Sequence, residues 1–189
     1  GVVRDYIAYE NVHNGKKLSL VFPELKNLEA KSQSAVVSIE VQDSELCPKY
    51  AGITISGVEV KPSPAWLQKR LRAVGLSPIN NIVDVTNFVM RELGTPLHAF
   101  DAQELNGKIV VKTAIAGEKF VTLDGVERTL SATNLMITNG DKNLCIAGVY
   151  GGLDSGVKDT TTTVFIESAY FNPVSVRKTA KEHGLSTDA

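Results

Sequence analysis

The sequence predicts an α+β fold, with mixed or antiparallel sheets forming a sandwich-like core and a few helices flanking it. Three observations carry that expectation. β-branched runs fill the first third and recur from Lys108 onward, and two helix-period segments sit side by side between them. Strands also follow one another in runs, whereas a doubly wound parallel sheet needs a helix after nearly every strand.

In chain order, Lys17–Phe22, Ala35–Val41 and Ile53–Val60 alternate or cluster β-branched residues and read as strands. The polar stretch Lys26–Ser34 reads as a loop or a brief helix, and Pro23, Pro48 and Pro62 punctuate the segments. Ser63-Pro64 offers an N-cap followed by proline in the first helical turn. Leu67, Leu71 and Val74 then share a face, and Gly75 fits the position just past the helix end. A second helix spans about Asn80 to Leu93 and closes at Gly94. Ile82, Val85, Val89 and Leu93 have the spacing of a buried stripe, while Asn80, Asp84, Asn87 and Arg91 form a polar one. Strands return at Ile109–Ala114, Lys119–Leu123, Leu135–Thr138, Leu144–Val149 and Thr163–Glu167, with turn chemistry at Leu123-Asp124-Gly125 and Asn139-Gly140-Asp141. Asn172-Pro173 opens a last helix carrying Arg177, Lys178 and Lys181 and ending at Gly184.

Composition narrows the function classes. The 189 residues are 43% hydrophobic and 22% charged, ordinary for a globular domain, and no apolar run reaches the roughly 18 residues of a membrane span. No signal-peptide pattern opens the chain, so a cytoplasmic domain is expected. A formal charge of −1 supplies no basic field for a stand-alone duplex binder, but leaves room for contact with one end of an RNA held by a larger assembly. Cys47 and Cys145 are far apart, and with His13, His98 and His183 scattered they give no zinc-ligand spacing. Free, packed thiols and no metal site are expected. The chain stops abruptly at Ser186-Thr187-Asp188-Ala189 and reads as a piece of something longer.

Four places hold more polar detail than packing requires. Asp84-Val85-Thr86-Asn87 puts mediocre helix formers inside a helix, which a solvated face explains equally well. Pro96-Leu97-His98-Ala99-Phe100-Asp101 carries a histidine amid apolar neighbours, either a catalyst or a satisfied core residue, with Asp101 placed to orient it or to cap the next helix. Ala147-Gly148-Val149-Tyr150-Gly151-Gly152 follows a strand, and its glycines permit close approach to a ligand or simply a tight turn. It lacks the G-K-[ST] of a triphosphate loop and the spacing of a dinucleotide loop. Glu167 ends the apolar run Val164-Phe165-Ile166, where a carboxylate must be paired, at the surface, or reserved for a ligand.

Six segments in this order resemble the β subunit of bacterial phenylalanyl-tRNA synthetase. They are Ser63-Pro64-Ala65-Trp66-Leu67, Pro78-Ile79-Asn80-Asn81-Ile82-Val83-Asp84-Val85-Thr86-Asn87, Pro96–Asp101, Thr122-Leu123-Asp124-Gly125, Ile146–Gly152 and Gly184–Ala189. The match begins near Cys47-Pro48-Lys49-Tyr50 and covers three quarters of the chain, so residues 46–189 are expected as the family's B3/B4 editing domain. Residues 1–45 are expected as a lead-in with β strands, compact with it.

The resemblance implies hydrolysis of Tyr-tRNA(Phe), because a synthetic pocket rejects an added hydroxyl poorly and a second sieve restores fidelity. It implies His98, Asn87 and Thr86 as catalytic or positioning groups. For the substrate it implies Glu167, Ala147, Gly148 and Gly151, with Thr187 and Ala189 on the pocket wall. Glu167 would accept a hydrogen bond from the tyrosine phenol, and the turn's amides would face developing negative charge. The fragment is expected to need no cofactor. The parent enzyme is expected to use ATP and magnesium, to pair with α subunits as an α2β2 assembly, and to bind the tRNA(Phe) acceptor end. Tyr150 stands where the family pattern has methionine. Two alternatives are a non-catalytic acceptor-binding or assembly module of the same synthetase, and the related domain of lysidine synthetases. The ordered His98, glycine-turn and Glu167 set disfavours the latter.

Overall fold

The computed structural model describes residues 1–24 and 37–186. The chain divides into two compact units, Gly1–Gln33 and Ser34–Ala189. The loop or helix expected at Lys26–Ser34 lies outside the described residues, as do Thr187 and Ala189.

In the first unit, helix α1 spans Val2–His13, where the sequence reading placed no element. Its chain continues without the strand expected at Lys17–Phe22. Local bonding accounts for that: the Asn11 side chain donates to Leu18 O at 2.9 Å and accepts from Leu18 N at 2.8 Å. A Leu18 backbone paired to a side chain cannot also enter a ladder.

The second unit is layered. A five-stranded sheet runs in the order β1 (Ser38–Val41), β4 (Lys108–Thr113), β7 (Leu135–Thr138), β8 (Asn143–Ile146) and β9 (Tyr150–Gly151). β1 pairs parallel with β4 and all other neighbours are antiparallel, so the sheet is mixed. A second, antiparallel sheet has β10 (Thr163–Tyr170) between β2 (Lys49–Ser56) and β3 (His98–Asp101). The hairpin of β5 (Lys119–Val121) and β6 (Glu127–Thr129) completes the strands. Every residue of β7 is buried, as is the centre of β4, because both faces of the large sheet are covered. On one face Ile109, Val111, Ile137 and Cys145 meet Phe100 and Phe165 of the smaller sheet. On the other, Met136 and Ile146 meet Phe120 and Leu130, with Val176 and Ala180 of helix α4 (Pro173–Glu182) packed alongside. The α+β class with a sandwich-like core is what the structure shows, and both cysteines are free and buried.

Helices α2 (Ala65–Ala73) and α3 (Asn81–Leu93) occur as expected, with two corrections. Ser63 does not cap α2, since Pro64 occupies the cap and no side chain bonds there. The Ser63 hydroxyl instead donates to Asp84 Oδ2 at 2.5 Å. The stripes of α3 hold only in part: Val85 and Leu93 of the apolar one are exposed and Ile82 and Val89 half-buried, while Asp84 of the polar one is fully buried and Arg91 is exposed. Asp84 is buried because Oδ1 accepts from Ile79 N at 2.8 Å while Oδ2 takes Ser63, and together these tie down the approach to both helices. On α2, Leu67 and Leu71 are buried but Val74 is exposed. The helix stops there: Gly75, at φ 82°, donates to Arg72 O and Leu76 donates to Leu71 O, a Schellman closure. α4 is capped as read, with Asn172 accepting from Val174 N and Ser175 N.

Candidate functional site

The register of the smaller sheet decides which polar groups meet. β10 runs antiparallel to β3 with Glu167 directly opposite His98, and antiparallel to β2 with Glu167 opposite Gly52. Directly paired residues share a sheet face, so His98, Glu167 and Gly52 stand together although they come from three distant stretches of chain. Tyr50, two residues from Gly52, lies on the same face, and its hydroxyl donates to Glu167 Oε2. Gly52 is required beside them. A Cβ there would stand 2.0 Å from Phe165 Cζ, so the ring of Phe165 occupies the space a side chain would need.

Glu167 is 6% exposed, and burial pushes its carboxyl up to about 7, against a smaller lowering by the Tyr50 hydrogen bond. The same burial, reinforced by the Glu167 charge, raises the Tyr50 phenol and the thiols of Cys47 and Cys145. His98 is held down to about 4 by burial, so its imidazole is neutral at neutral pH. Its ring stands edge-on to Phe100 at 4.4 Å, and its Nε2 is sealed from solvent with no hydrogen-bond partner among the described residues. A neutral imidazole beside a carboxyl that titrates near neutrality is the kind of pair that carries proton chemistry or ligand recognition.

The glycine turn reaches the pair from the larger sheet. Val149 donates to Ile146 O at 2.9 Å, closing a four-residue turn whose third residue, Gly148, adopts φ 67°. A Cβ on Gly148 would press Val176 at 2.9 Å and Phe171 at 3.0 Å, so this glycine serves the turn and the packing of α4. Gly151 is the one that faces the pair: a Cβ there would come 3.2 Å from His98 Cε1. Ala147 is buried in the core and its amide bonds Leu135 O at 2.9 Å.

The other expected site residues stand less directly. α3, which carries Thr86 and Asn87, packs beside β3, which begins at His98. The Thr86 hydroxyl is turned back onto Val83 O at 2.8 Å. Asp101 does not orient His98. Three positions along β3, it points to the opposite face, caps the turn Ala102–Leu105 through Gln103 N and accepts from the Thr161 hydroxyl at 2.6 Å. Tyr50 and Gly52 were not singled out by the sequence reading. Their signal was the two-residue period along β2, which acquires meaning only once β10 is placed beside it. Two surface recesses, of about 300 Å³ and about 430 Å³, include none of these residues.

Residues 46–189 match the profile of the B3/4 domain. The chain belongs to the B3/4 domain family. It is 53% identical over 190 residues to the phenylalanine–tRNA ligase β subunit of Bacteroides fragilis, covering all of this chain and 23% of that protein. It is 54% identical over 176 residues to that of Bdellovibrio bacteriovorus, covering 93% of this chain and 22% of that protein. The B3/4 chain thus spans less than a quarter of the curated relatives it matches. Its fold is similar to a crystal structure of an N-terminal fragment of the phenylalanyl-tRNA synthetase β subunit from Pyrococcus horikoshii. That similarity has a TM-score of 0.57 at 15% identity and covers 80% of this chain and 48% of the other. No helix among the described residues is long and apolar enough to cross a membrane.

Proposed function

We propose that this B3/4 domain is the editing site of a phenylalanine–tRNA ligase β subunit and hydrolyses Tyr-tRNA(Phe). The observation that carries the reading is the cross-strand pair His98–Glu167, with Gly151 set against the imidazole. A buried carboxylate is costly and is retained where it meets a hydroxyl that the correct substrate lacks. Glu167 accepts from the phenol of the misattached tyrosine. His98, neutral and with a nitrogen unengaged, positions the ester or the attacking water, assisted by Asn87 and Thr86 from α3. In the turn, the amides of Ala147, Val149 and Gly152 already serve protein carbonyls. Gly148 N–H has no partner among the described residues and is the donor available to the developing oxyanion. Thr187 and Ala189 complete the pocket wall in this reading.

Positioning and oriented dipoles suffice for an activated ester, and the reaction proceeds without a metal or cofactor in this domain. The parent enzyme, on this reading, works in the cytoplasm with α subunits as an α2β2 assembly, uses ATP and magnesium to charge tRNA(Phe), and presents its acceptor end here. An acceptor-binding or assembly module without chemistry draws support from the basic face of α4 (Arg177, Lys178, Lys181). It has no use for a meeting of His98 with Glu167, so the editing reading is preferred. The test is tyrosine release from preformed Tyr-tRNA(Phe) by the complete ligase, wild type against Glu167→Ala. A loss of one to two decades is expected from removing a hydrogen bond to a charged acceptor, about 1.5–3 kcal/mol. Equal release by the two sinks the reading.

A further inference from the structure

The carboxylate assigned to read a phenol already holds one. Tyr50 reaches across from β2, two residues from the position opposite Glu167, and donates to Oε2, while Oε1 has no partner among the described residues. The Tyr50 ring is braced edge-on by Phe171 at 6.5 Å. Gly52 leaves the intervening space to Phe165, so no other side chain of β2 approaches Glu167 from that direction.

We propose that Tyr50 is a positioning residue that holds Glu167 as a charged acceptor, leaving its second oxygen for the hydroxyl of a tyrosyl ester. The proposal rests on the editing reading. A protonated Glu167 with Tyr50 on one oxygen would carry its proton on the other, presenting a donor where the ligand's phenol should donate. A charge-assisted acceptor binds a hydroxyl about twice as strongly as a neutral one. The titratable groups around Glu167 are Tyr50 from β2, His98 from β3, Cys145 from β8 and Cys47 just ahead of β2. The thiols and the neutral imidazole bring no positive charge, and Tyr50 is the neighbour that favours the ionised carboxyl. Tyr50→Phe keeps the ring and its packing and removes only the donor.

Two measurements test this. In the 189-residue chain, the carboxyl stretch of Glu167 is followed by infrared titration, with Glu167→Gln to assign the band. The midpoint should move to higher pH in Tyr50→Phe. In the complete ligase, Tyr50→Phe should release tyrosine from Tyr-tRNA(Phe) roughly tenfold more slowly at pH 7 and recover as pH rises, whereas Glu167→Gln should show no such recovery. An unmoved midpoint overturns the proposal, as does a moved midpoint with unchanged release, or a loss that is equal at every pH. Should the wild-type ligase release no tyrosine, the editing reading fails, and the titration alone then shows whether Tyr50 governs the charge of Glu167.

Discussion

Replacing Glu167 by glutamine should stabilise the protein at alkaline pH and leave it unchanged in acid. A carboxyl that ionises near 7 in the fold and near 4.5 when unfolded opposes folding once it is charged. Below pH 4.5 both states are protonated and the group is neutral to stability. Between 4.5 and 7 stability falls as pH rises, and above 7 the full cost, about 3 kcal/mol, is in place. Glutamine fills the same volume, accepts from Tyr50 through its carbonyl and never ionises. The substitution should therefore recover up to about 3 kcal/mol at pH 8, a rise of about 6–12 °C in melting temperature for a unit of this size. His98 acts with the opposite sign. Its pKa is depressed to about 4, so its contribution is present above pH 6.5 and is lost as pH falls toward 4. In the wild type the two slopes offset each other between about pH 5 and 6.5, and Glu167→Gln should expose the histidine's alone. Thermal melts of both chains from pH 4 to 9 provide the assay. A variant no more stable than wild type at pH 8 would refute the reasoning, because Glu167 would then be solvated or paired well enough to ionise without cost.

Further outcomes follow from single contacts. Gly151→Ala places a methyl 3.2 Å from His98 Cε1 and should slow tyrosine release by shifting the ring, with little change in melting temperature. A large drop in melting temperature would show that Gly151 serves packing instead. Gly52→Ala drives a Cβ into Phe165, itself 2% exposed, and should cost about 1–3 kcal/mol or more in denaturant unfolding. Asp84→Ala strips the acceptor from Ser63 and Ile79 N and should cost about 2–3 kcal/mol by the same measurement, although the site chemistry is elsewhere. Chelators should leave tyrosine release by the complete ligase intact, and loss of activity restored by zinc would contradict a metal-free reaction.

Local chemistry was legible where a residue's role is decided within a turn or two. Asn80, Gly94 and Asn172 mark helix ends as read, because capping depends on neighbours three residues away. Asp84 and Val85 were misassigned because periodicity ranks residues by polarity, whereas Asp84 is drawn inside by two donors that lie earlier in the chain. The strand expected at Lys17–Phe22 lost to the side-chain bonding of Asn11, a competitor that no propensity reports. His98 and Glu167 stood out as residues, yet nothing local says that they are cross-strand partners. Tyr50 looked like an ordinary strand aromatic until the register of β10 against β2 made it the donor to Glu167.

β10 lies between β2 and β3, although it follows both in the chain. During synthesis the last residue of β2, Ser56, emerges about a hundred residues before Thr163, the first of β10. At about 5–20 residues per second, β2 waits on the order of 5–20 s with no partner from its own sheet. Ile53 and Ile55 remain half exposed even in the finished fold, so the nascent chain presents an apolar, unpaired edge throughout that interval. The order that delivers Glu167 last to His98 and Tyr50 therefore also leaves the β2 edge open longest in the growing chain.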